Sequence, residues 1–580
     1  MKNFTPTLVF LFFLCLYKFS SAQEKFGFNI QKQNTLQQTN HLNPSDGDER
    51  LKRLLPITYT YDDGWLPSSP IGTATSIDTI IIESGTVNIS ANTVCDNLVV
   101  NPGAAISIDA GATLTSSVID LNSTSLMFSS LIADGTIIGT VNYHRYASEI
   151  GTNDLISSPV ANQLFEDFAL VNVDDLAASG FLRAFAPYNT ATGVYQNYDV
   201  INNATTIIES GIGYRVATID GSTLTFSGLV QTNDVLGIPI SDASSGDGWN
   251  LIGNPYPSYL DFDTFFNLNK SQFDGASYRA IYGYDGDASD GWTVWNQATI
   301  DSPTITEIIA PGQAFFVKAK SGGGLIDFTT SMRCVGTSDD FISGKATPSS
   351  PHYGHIKLRM SSGNSNFSTD FYFNSNASSG FDPGYDAALY GGPYSFSIYS
   401  HLVENDTGLD LAIQSFGPNA MYDIAVPLGI TVTQGQEITI SITETDMPDT
   451  IDIYLEDTVA NTVTLLNTND FIYTPTTDLS GTGRFFLRFD TDVLHVVQST
   501  LEILNIYSNN RDKTIIISGE LQQETKSKLY DTNGRMVLLN TLNSATNQNS
   551  IDVSALSTGI YMLELINTNN EIRRHKLIIQ

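Results

Sequence analysis

Hydrophobic residues along this chain come in short runs broken by Gly, Asn, Asp or Pro, and the spacing of the runs changes character several times. From Tyr59 onward, Asp78-Thr-Ile-Ile-Ile82, Val87-Asn-Ile89, Leu98-Val-Val100, Ile106-Ser-Ile108 and Val118-Ile-Asp-Leu121 follow one another no more than nine residues apart, with Gly85, Pro102-Gly103 and Gly111 at the corners. Gaps that short leave no room for long hairpins and predict strands stacked rung on rung, a short β-solenoid over 59–142.

Between Tyr143 and Val335 the pattern repeats itself. Asp154-Leu-Ile-Ser-Ser-Pro159, Gly211-Ile-Gly-Tyr-Arg-Val216 and Thr223-Leu-Thr-Phe226 return as Trp249-Asn-Leu-Ile-Gly-Asn-Pro255, Gly312-Gln-Ala-Phe-Phe-Val317 and Leu325-Ile-Asp-Phe328. Pro159 to Pro255 is an offset of 96, Tyr214 to Phe315 of 101 and Phe226 to Phe328 of 102. Three elements in the same order at nearly constant offset predict an internally duplicated β module over 143–335. Each copy opens on a buried strand stopped by proline and closes on an aromatic strand.

After the Ser/Pro-rich stretch Lys345 to His352, the runs alternate cleanly, as in His355-Ile-Lys-Leu-Arg-Met360, Ile438-Thr-Ile-Ser-Ile442 and Arg484-Phe-Phe-Leu-Arg-Phe489. Period-two alternation with frequent turns predicts an antiparallel, jelly-roll-like sandwich over 353–490. The last stretch, 501–580, pairs Leu501-Glu-Ile-Leu-Asn-Ile-Tyr507 with Lys513-Thr-Ile-Ile-Ile-Ser518 across a polar turn. It ends on Gly559-Ile-Tyr-Met-Leu-Glu-Leu565 and His575-Lys-Leu-Ile-Ile-Gln580, a small immunoglobulin-like sandwich. The fold class is therefore all-β, a multi-domain string of solenoid, duplicated module, sandwich and C-terminal sandwich.

The first 22 residues differ from all of this. Lys2, an apolar run from Leu8 to Leu16 and the small residues Ser20 and Ala22 read as a Sec signal peptide cut between Ala22 and Gln23, followed by a flexible polar lead-in over 23–58. The apolar run is too short to span a bilayer, and no later run approaches the length of a transmembrane helix. The expected route is through the periplasm to the outer surface or the medium.

The net charge of -33 is unevenly distributed. Residues 501–580 hold eight basic and eight acidic side chains, so the excess acid lies upstream. Such a field repels nucleic acid and favours cations where carboxylates converge. The strongest sequence candidate for convergence is Asp285-Gly-Asp287-Ala-Ser-Asp290, half of a calcium loop without its bidentate glutamate, for which a plain hairpin turn is the other reading. Asp382 and Asp386, with Glu456 and Asp457, form a second candidate. No other cofactor is expected. Between Asp62 and Asn142 there is no Lys, Arg or His, so a solenoid lyase would lack both its base and its carboxylate anchor. No His-Glu-x-x-His, Gly-x-Ser-x-Gly or phosphate loop occurs, and His352 and His355 beside the hinge read as exposed polar residues. Cys95 and Cys334 read as two buried free thiols, with a bridge between them as the other reading. Trp249, Trp292 and Trp295 are either core or, if exposed, platforms for sugar rings.

The C-terminal stretch resembles the type A C-terminal sorting domain of the type IX secretion system of Bacteroidetes. The matching residues are Tyr530-Asp531-x-x-Gly534-Arg535, Leu556-Ser-x-Gly559-Ile-Tyr561 and the closing Lys576-Leu-Ile-Ile579. The departure is at Tyr507, which leads into Ser-Asn-Asn where the family has Tyr-Pro-Asn-Pro. The resemblance implies export by the type IX translocon, removal of the module by the C-terminal signal peptidase, and association with surface anionic lipopolysaccharide. Upstream, Asp63-Gly-Trp65 with Cys95-Asp-Asn-Leu-Val-Val100, Gly248-Trp-Asn-Leu-Ile-Gly-Asn-Pro-Tyr-Pro257, and Gly380-Phe-Asp-x-Gly-Tyr-Asp386 resemble segments of other cargo of that pathway. The function expected is that of a non-enzymatic, adhesin-like surface or secreted protein with a glycan or matrix ligand. The alternative is a carbohydrate-binding or polysaccharide-degrading component.

Overall fold

A computed structural model describes residues 55–580, apart from 244–246, 287–291, 303–307, 341–350, 393, 491–500, 502–503, 510–512, 519–520, 522, 545, 547, 569–571 and 580. The expected signal peptide, with Ala22 and Gln23, lies outside the described residues.

The strands Thr58–Tyr61, Thr79–Ile82, Thr93–Val100, Thr113–Asn122 and Thr136–Ala147 pair in parallel in that order, and Thr86–Ile89, Ala105–Ile108 and Ser130–Ala133 form a second parallel sheet. Thr60 faces Ile81, Ile81 faces Val99, Val99 faces Asp120 and Asp120 faces Asn142, an advance of 18 to 22 residues per turn. Alternation turns Ile80, Ile82, Leu98, Val100, Ile119 and Leu121 inward, where they are fully buried with Ile89 and Ile106 of the other sheet. This is the solenoid expected from the spacing. An open sheet edge is a template for another chain. Here the two-residue strand Trp65–Leu66 runs antiparallel on the first rung, and Ser222–Gly228 runs antiparallel on the last. Because Thr136–Ala147 is at once the last rung and the entry into the duplicated region, one hydrophobic core runs from Tyr59 to Phe226.

The duplication is written in the topology. The first copy orders its sheet Asp154–Ser157, Gly213–Val216, Phe185–Asn189, Val194–Tyr195, and the second orders Trp249–Gly253, Ala314–Lys318, Ile281–Tyr284, Trp292–Trp295. Ile156 faces Tyr214 as Ile252 faces Phe315. After the opening strand each copy carries a short helix, Phe165–Val171 or Phe262–Asn269, whose phenylalanines fill the core beneath the sheet. A buried asparagine ends each helix. Asn172 donates to the Phe168 and Thr225 carbonyls (2.9 and 3.0 Å) and accepts from the Thr225 N–H (2.7 Å). Asn269 donates to the Phe265 and Asp327 carbonyls (3.0 and 2.9 Å) and accepts from the Asp327 N–H (2.9 Å). Each amide thus ties a helix end to the closing strand of its own copy.

The copies meet through reciprocal contacts. The Ser157 N–H donates to the Gly312 carbonyl (2.7 Å), and the equivalent Gly253 N–H donates to the equivalent Gly211 carbonyl (3.0 Å). Asp154 accepts from the Gly286 N–H (2.7 Å), while Asn250, 96 residues on, accepts from the Thr190 hydroxyl (3.0 Å). Contacts of this kind, residue i to j and j to i, are those of a two-fold dimer, here within one chain. Gly312 has φ of 63°, and a Cβ there would lie 2.8 Å from the Ser157 carbonyl oxygen, so the close approach requires glycine. Replacing Asn172 or Asn269 by Ala leaves a backbone N–H and a carbonyl of the closing strand without their amide partner, at a cost of about 1–3 kcal/mol. Thermal unfolding of the two variants should show losses of similar size, and an effect at one site with none at the other would break the equivalence.

The third region curls one sheet over its own core. From Thr462–Leu465 at one end to Phe471–Tyr473 at the other, the order passes through Phe485–Asp490, Asp423–Thr431, Leu411–Phe416, Ser365–Asn374, His352–Ser362 and Ile438–Thr445. Phe471, at one end, packs 5.9 Å from Phe485, near the other, so the sheet closes as a sandwich. Ser365–Asn374 and Leu411–Phe416 pair in parallel within it. The sandwich docks on the second copy. Tyr390 lies between Trp292 (4.4 Å, stacked), Trp249 (4.6 Å) and Phe316 (5.1 Å), the Tyr282 hydroxyl donates to the Ala388 carbonyl (2.8 Å), and Asn374 donates to Asp301 (2.8 Å).

In the C-terminal module a three-stranded sheet, Asn505–Asn509, Thr514–Ser518 and Gln548–Asp552, faces a four-stranded one, Met536–Leu542, Thr525–Tyr530, Gly559–Asn567 and Ile572–Ile579. They enclose a core that includes Leu504, Ile515, Leu529, Leu563 and Leu577.

Candidate functional site

The strand Gly559–Asn567 turns Tyr561, Leu563 and Leu565 inward and leaves Ile560 and Met562 exposed, as alternation requires. Beside it, Asp531 to Arg535 form a tight turn at the end of Thr525–Tyr530. Gly534 takes φ of 76°, a conformation that favours glycine, and its N–H donates to the Asp531 carbonyl (3.0 Å). The Asp531 carboxylate accepts from the backbone N–H groups of Arg535 and Asn533 (both 3.0 Å) and from the Arg535 Nε (3.2 Å). These bonds, the Arg535 backbone N–H foremost, hold its carboxyl below the usual carboxylate range. The Tyr561 hydroxyl donates to the Ser557 carbonyl (2.7 Å), and Glu564 sits between Arg574 (3.0 Å) and Lys528 (3.6 Å).

Together these elements frame a cleft of about 480 Å³. Of the eight residues singled out in sequence, Tyr530, Asp531, Gly534, Tyr561 and Lys576 line it. Arg535 acts on it through Asp531, Leu556 packs against the module's core, and Gly559 opens the strand opposite Ile579. Ile560, inside the motif, lines it as well, and the motif did not include Met562, Glu564 and Arg574, which also line the cleft. They occupy outward positions on the same two strands, and the period-two pattern was the signal that could have found them. The result is a mixed apolar and charged surface suited to recognising another protein.

Elsewhere the sequence candidates are dispersed. Asp285 is buried at the end of Ile281–Tyr284, while Asp287 and Asp290 lie outside the described residues. Asp386 accepts from the Asp382 and Ser415 N–H groups (2.6 and 2.7 Å), and Asp382 accepts from Ser378. Asp457 is held by Arg484 (2.6 Å) and Glu456 by Arg488 (2.6 Å), so these four acids are distributed among separate protein donors. Among the described residues, no group of three or more His, Cys, Asp or Glu is arranged around a cation. The expectation of exposed His352 and His355 is overturned. Their strand is paired on both sides, and the rings are buried against Asp446 (2.7 Å) and Asp370 (2.8 Å). Cys95 and Cys334 are free thiols; Cys95 is buried as expected, Cys334 only partly so, and burial pushes the Cys334 thiol up to about 12. Trp249 and Trp295 are buried, whereas Trp292 is half-buried beside a cleft of about 250 Å³ with Tyr390, Tyr394 and Phe367.

A family described as Domain of unknown function (DUF8693) matches residues 59–489, from the first rung of the solenoid to the last strand of the sandwich. The chain belongs to that family. In this DUF8693 protein residues 505–580 match the Secretion system C-terminal sorting domain, and the cleft above lies within that match. The DUF8693 region is thus the β-rich passenger of a type IX secretion cargo, exported to the cell surface or beyond through interaction of the C-terminal module with the secretion machinery. No curated protein matches the chain. Among solved structures, the extracellular domain of a one-component system from B. thetaiotaomicron is 12% identical, with a TM-score of 0.12, over 70% of this chain and 68% of that one. A calcium-stabilized adhesin with which an Antarctic bacterium binds ice is 10% identical, with a TM-score of 0.10, over 73% of this chain and 99% of that one. Scores of this size carry no inference about fold or ligand. Among the described residues no helix is long and apolar enough to cross a membrane.

Proposed function

We propose that the chain is a non-enzymatic, adhesin-like protein of the outer surface or medium, whose passenger is a rigid β scaffold presenting binding faces. The observation that carries this reading is the joint between the second copy and the sandwich. There Tyr390 fills the space between Trp249, Trp292 and Phe316, so most of the aromatic surface that could have lined a substrate groove serves to hold two parts of the protein together. Asp382, Asp386, Glu456 and Asp457 are likewise engaged with protein donors. Removal of the sorting module by the signal peptidase and attachment to anionic lipopolysaccharide belong to the same reading. A second reading, a carbohydrate-binding component, is favoured by the half-buried Trp292 at the cleft it shares with Tyr394 and Phe367. The mature chain, screened against glycans and host-matrix proteins with and without calcium, should bind at least one ligand and release no sugar from polysaccharide. Sugar release above the buffer rate would overturn the non-enzymatic reading, and binding that needs calcium would give Asp285, Asp287 and Asp290 their role.

A further inference from the structure

The two copies have sheets of the same strand order that differ on the outward face. In the second copy that face carries Tyr282 and Phe316 and is covered by the sandwich. Stepping back by the repeat offset, 96 from Tyr282 and 101 from Phe316, gives Ala186 and Arg215 in the first copy. Beside Arg215 a pocket of about 240 Å³ opens, lined by Arg183, Arg215, Asn153, Asn197, Ser179 and several alanines. No residue of its lining is acidic, in a chain with 61 acidic and 28 basic side chains.

The hydrogen-bonding state of these residues points to a ligand. Arg183 donates through Nη1 to the Gly180 and Leu182 carbonyls (3.1 and 3.2 Å). That fixes the guanidinium plane while Nε and Nη2, the edge that meets a carboxylate or sulfate in parallel, have no protein acceptor among the described residues. Arg215 lies over the Tyr195 ring at 4.1 Å and has no ion pair among the described residues. The side chains of Asn153, Asn197 and Ser179 also have no protein partner among the described residues. Two guanidinium groups supply charge complementarity for an anion, two amides and a hydroxyl can both donate to and accept from hydroxyl groups, and Ala177, Ala184 and Ala217 offer an apolar floor. The volume falls below the roughly 300–1,000 Å³ of pockets for drug-sized ligands and suits a single ring.

We infer that this pocket binds an acidic sugar ring, one carrying a uronate carboxylate or a sulfate. The inference deepens the proposed adhesin reading by naming a ligand class and rests on that reading for its setting at the surface. Titration calorimetry on the full mature chain would use glucuronate, glucose 6-sulfate, glucose and sodium acetate as probes. Glucuronate, glucose 6-sulfate or both should bind at least tenfold more tightly than glucose and acetate. Arg183→Gln and Arg215→Gln, both at partly exposed positions, should each lower that affinity at least tenfold without shifting the thermal midpoint. Equal binding of glucose, equal binding of acetate, affinity unchanged in both variants, or capture of oligoglutamate in place of the sugars would each overturn the inference. Surface display, followed separately on intact cells, reports on the adhesin reading whichever way the titration falls.

Discussion

A chain truncated after Asp490 should fold its passenger and accumulate in the periplasm. The C-terminal module has a core drawn only from residues 501–579, and eight basic side chains offset its eight acidic ones, while the acidity of the chain lies upstream. Removing it therefore takes away the sorting domain and leaves the solenoid, duplicated and sandwich cores whole. A point change should reproduce the defect. Asp531→Ala removes the acceptor for two backbone N–H groups and the Arg535 guanidinium, which loosens the turn that shapes the cleft. Cell fractionation with protease shaving of intact cells measures the outcome. Normal surface display of the truncated chain would refute the sorting role.

The largest stability effect should come from Arg145. Its guanidinium is fully buried, gives both Asp340 oxygens a 2.6 Å hydrogen bond, and lies 4.0 Å from the centre of the Phe128 ring. Burial works against the charged guanidinium, and the charge and hydrogen bonds of Asp340 outweigh it. The pair joins the last solenoid rung to the segment leaving the second copy, 195 residues away. Arg145→Met leaves the Asp340 carboxylate buried without its counter-ion, a loss of about 3–5 kcal/mol. At roughly 2–4 °C per kcal/mol for a unit of this size, the transition that unfolds the solenoid should move down on the order of 10 °C. The double change Arg145→Met with Asp340→Leu should recover much of the loss, because two apolar groups carry no unpaired charge. A single change that shifts the midpoint by less than about 2 °C would show that the pair holds nothing together.

How far this architecture could be read in advance depended on which interactions leave a periodic trace. Solenoid rungs did, because Ile80, Leu98 and Ile119 recur with polar corners between them. The duplication did too, through its prolines and aromatics. The asparagine clamps did not, since Asn172 and Asn269 are polar residues with no hydrophobic period to mark them, although extending the offset by one residue, to 97, would have aligned them. The joint made by Tyr390 was equally hidden, because its partners Trp249 and Trp292 lie 141 and 98 residues upstream and no local pattern couples them. In the sorting module the motif led to Tyr530, Asp531, Gly534 and Tyr561, and the flanking Glu564 and Arg574 emerged only from strand register.

The solenoid has one more consequence. Each turn contacts mainly its neighbours, and both terminal rungs are finished by antiparallel strands. A stretch of 18 to 22 residues with the same alternation, inserted between Thr93–Val100 and Thr113–Asn122, would add one turn without altering either end. Each such insertion lengthens the stack by about 4.8 Å. The length of the passenger is therefore a quantity that evolution can adjust in small equal steps, independently of the regions that follow the solenoid.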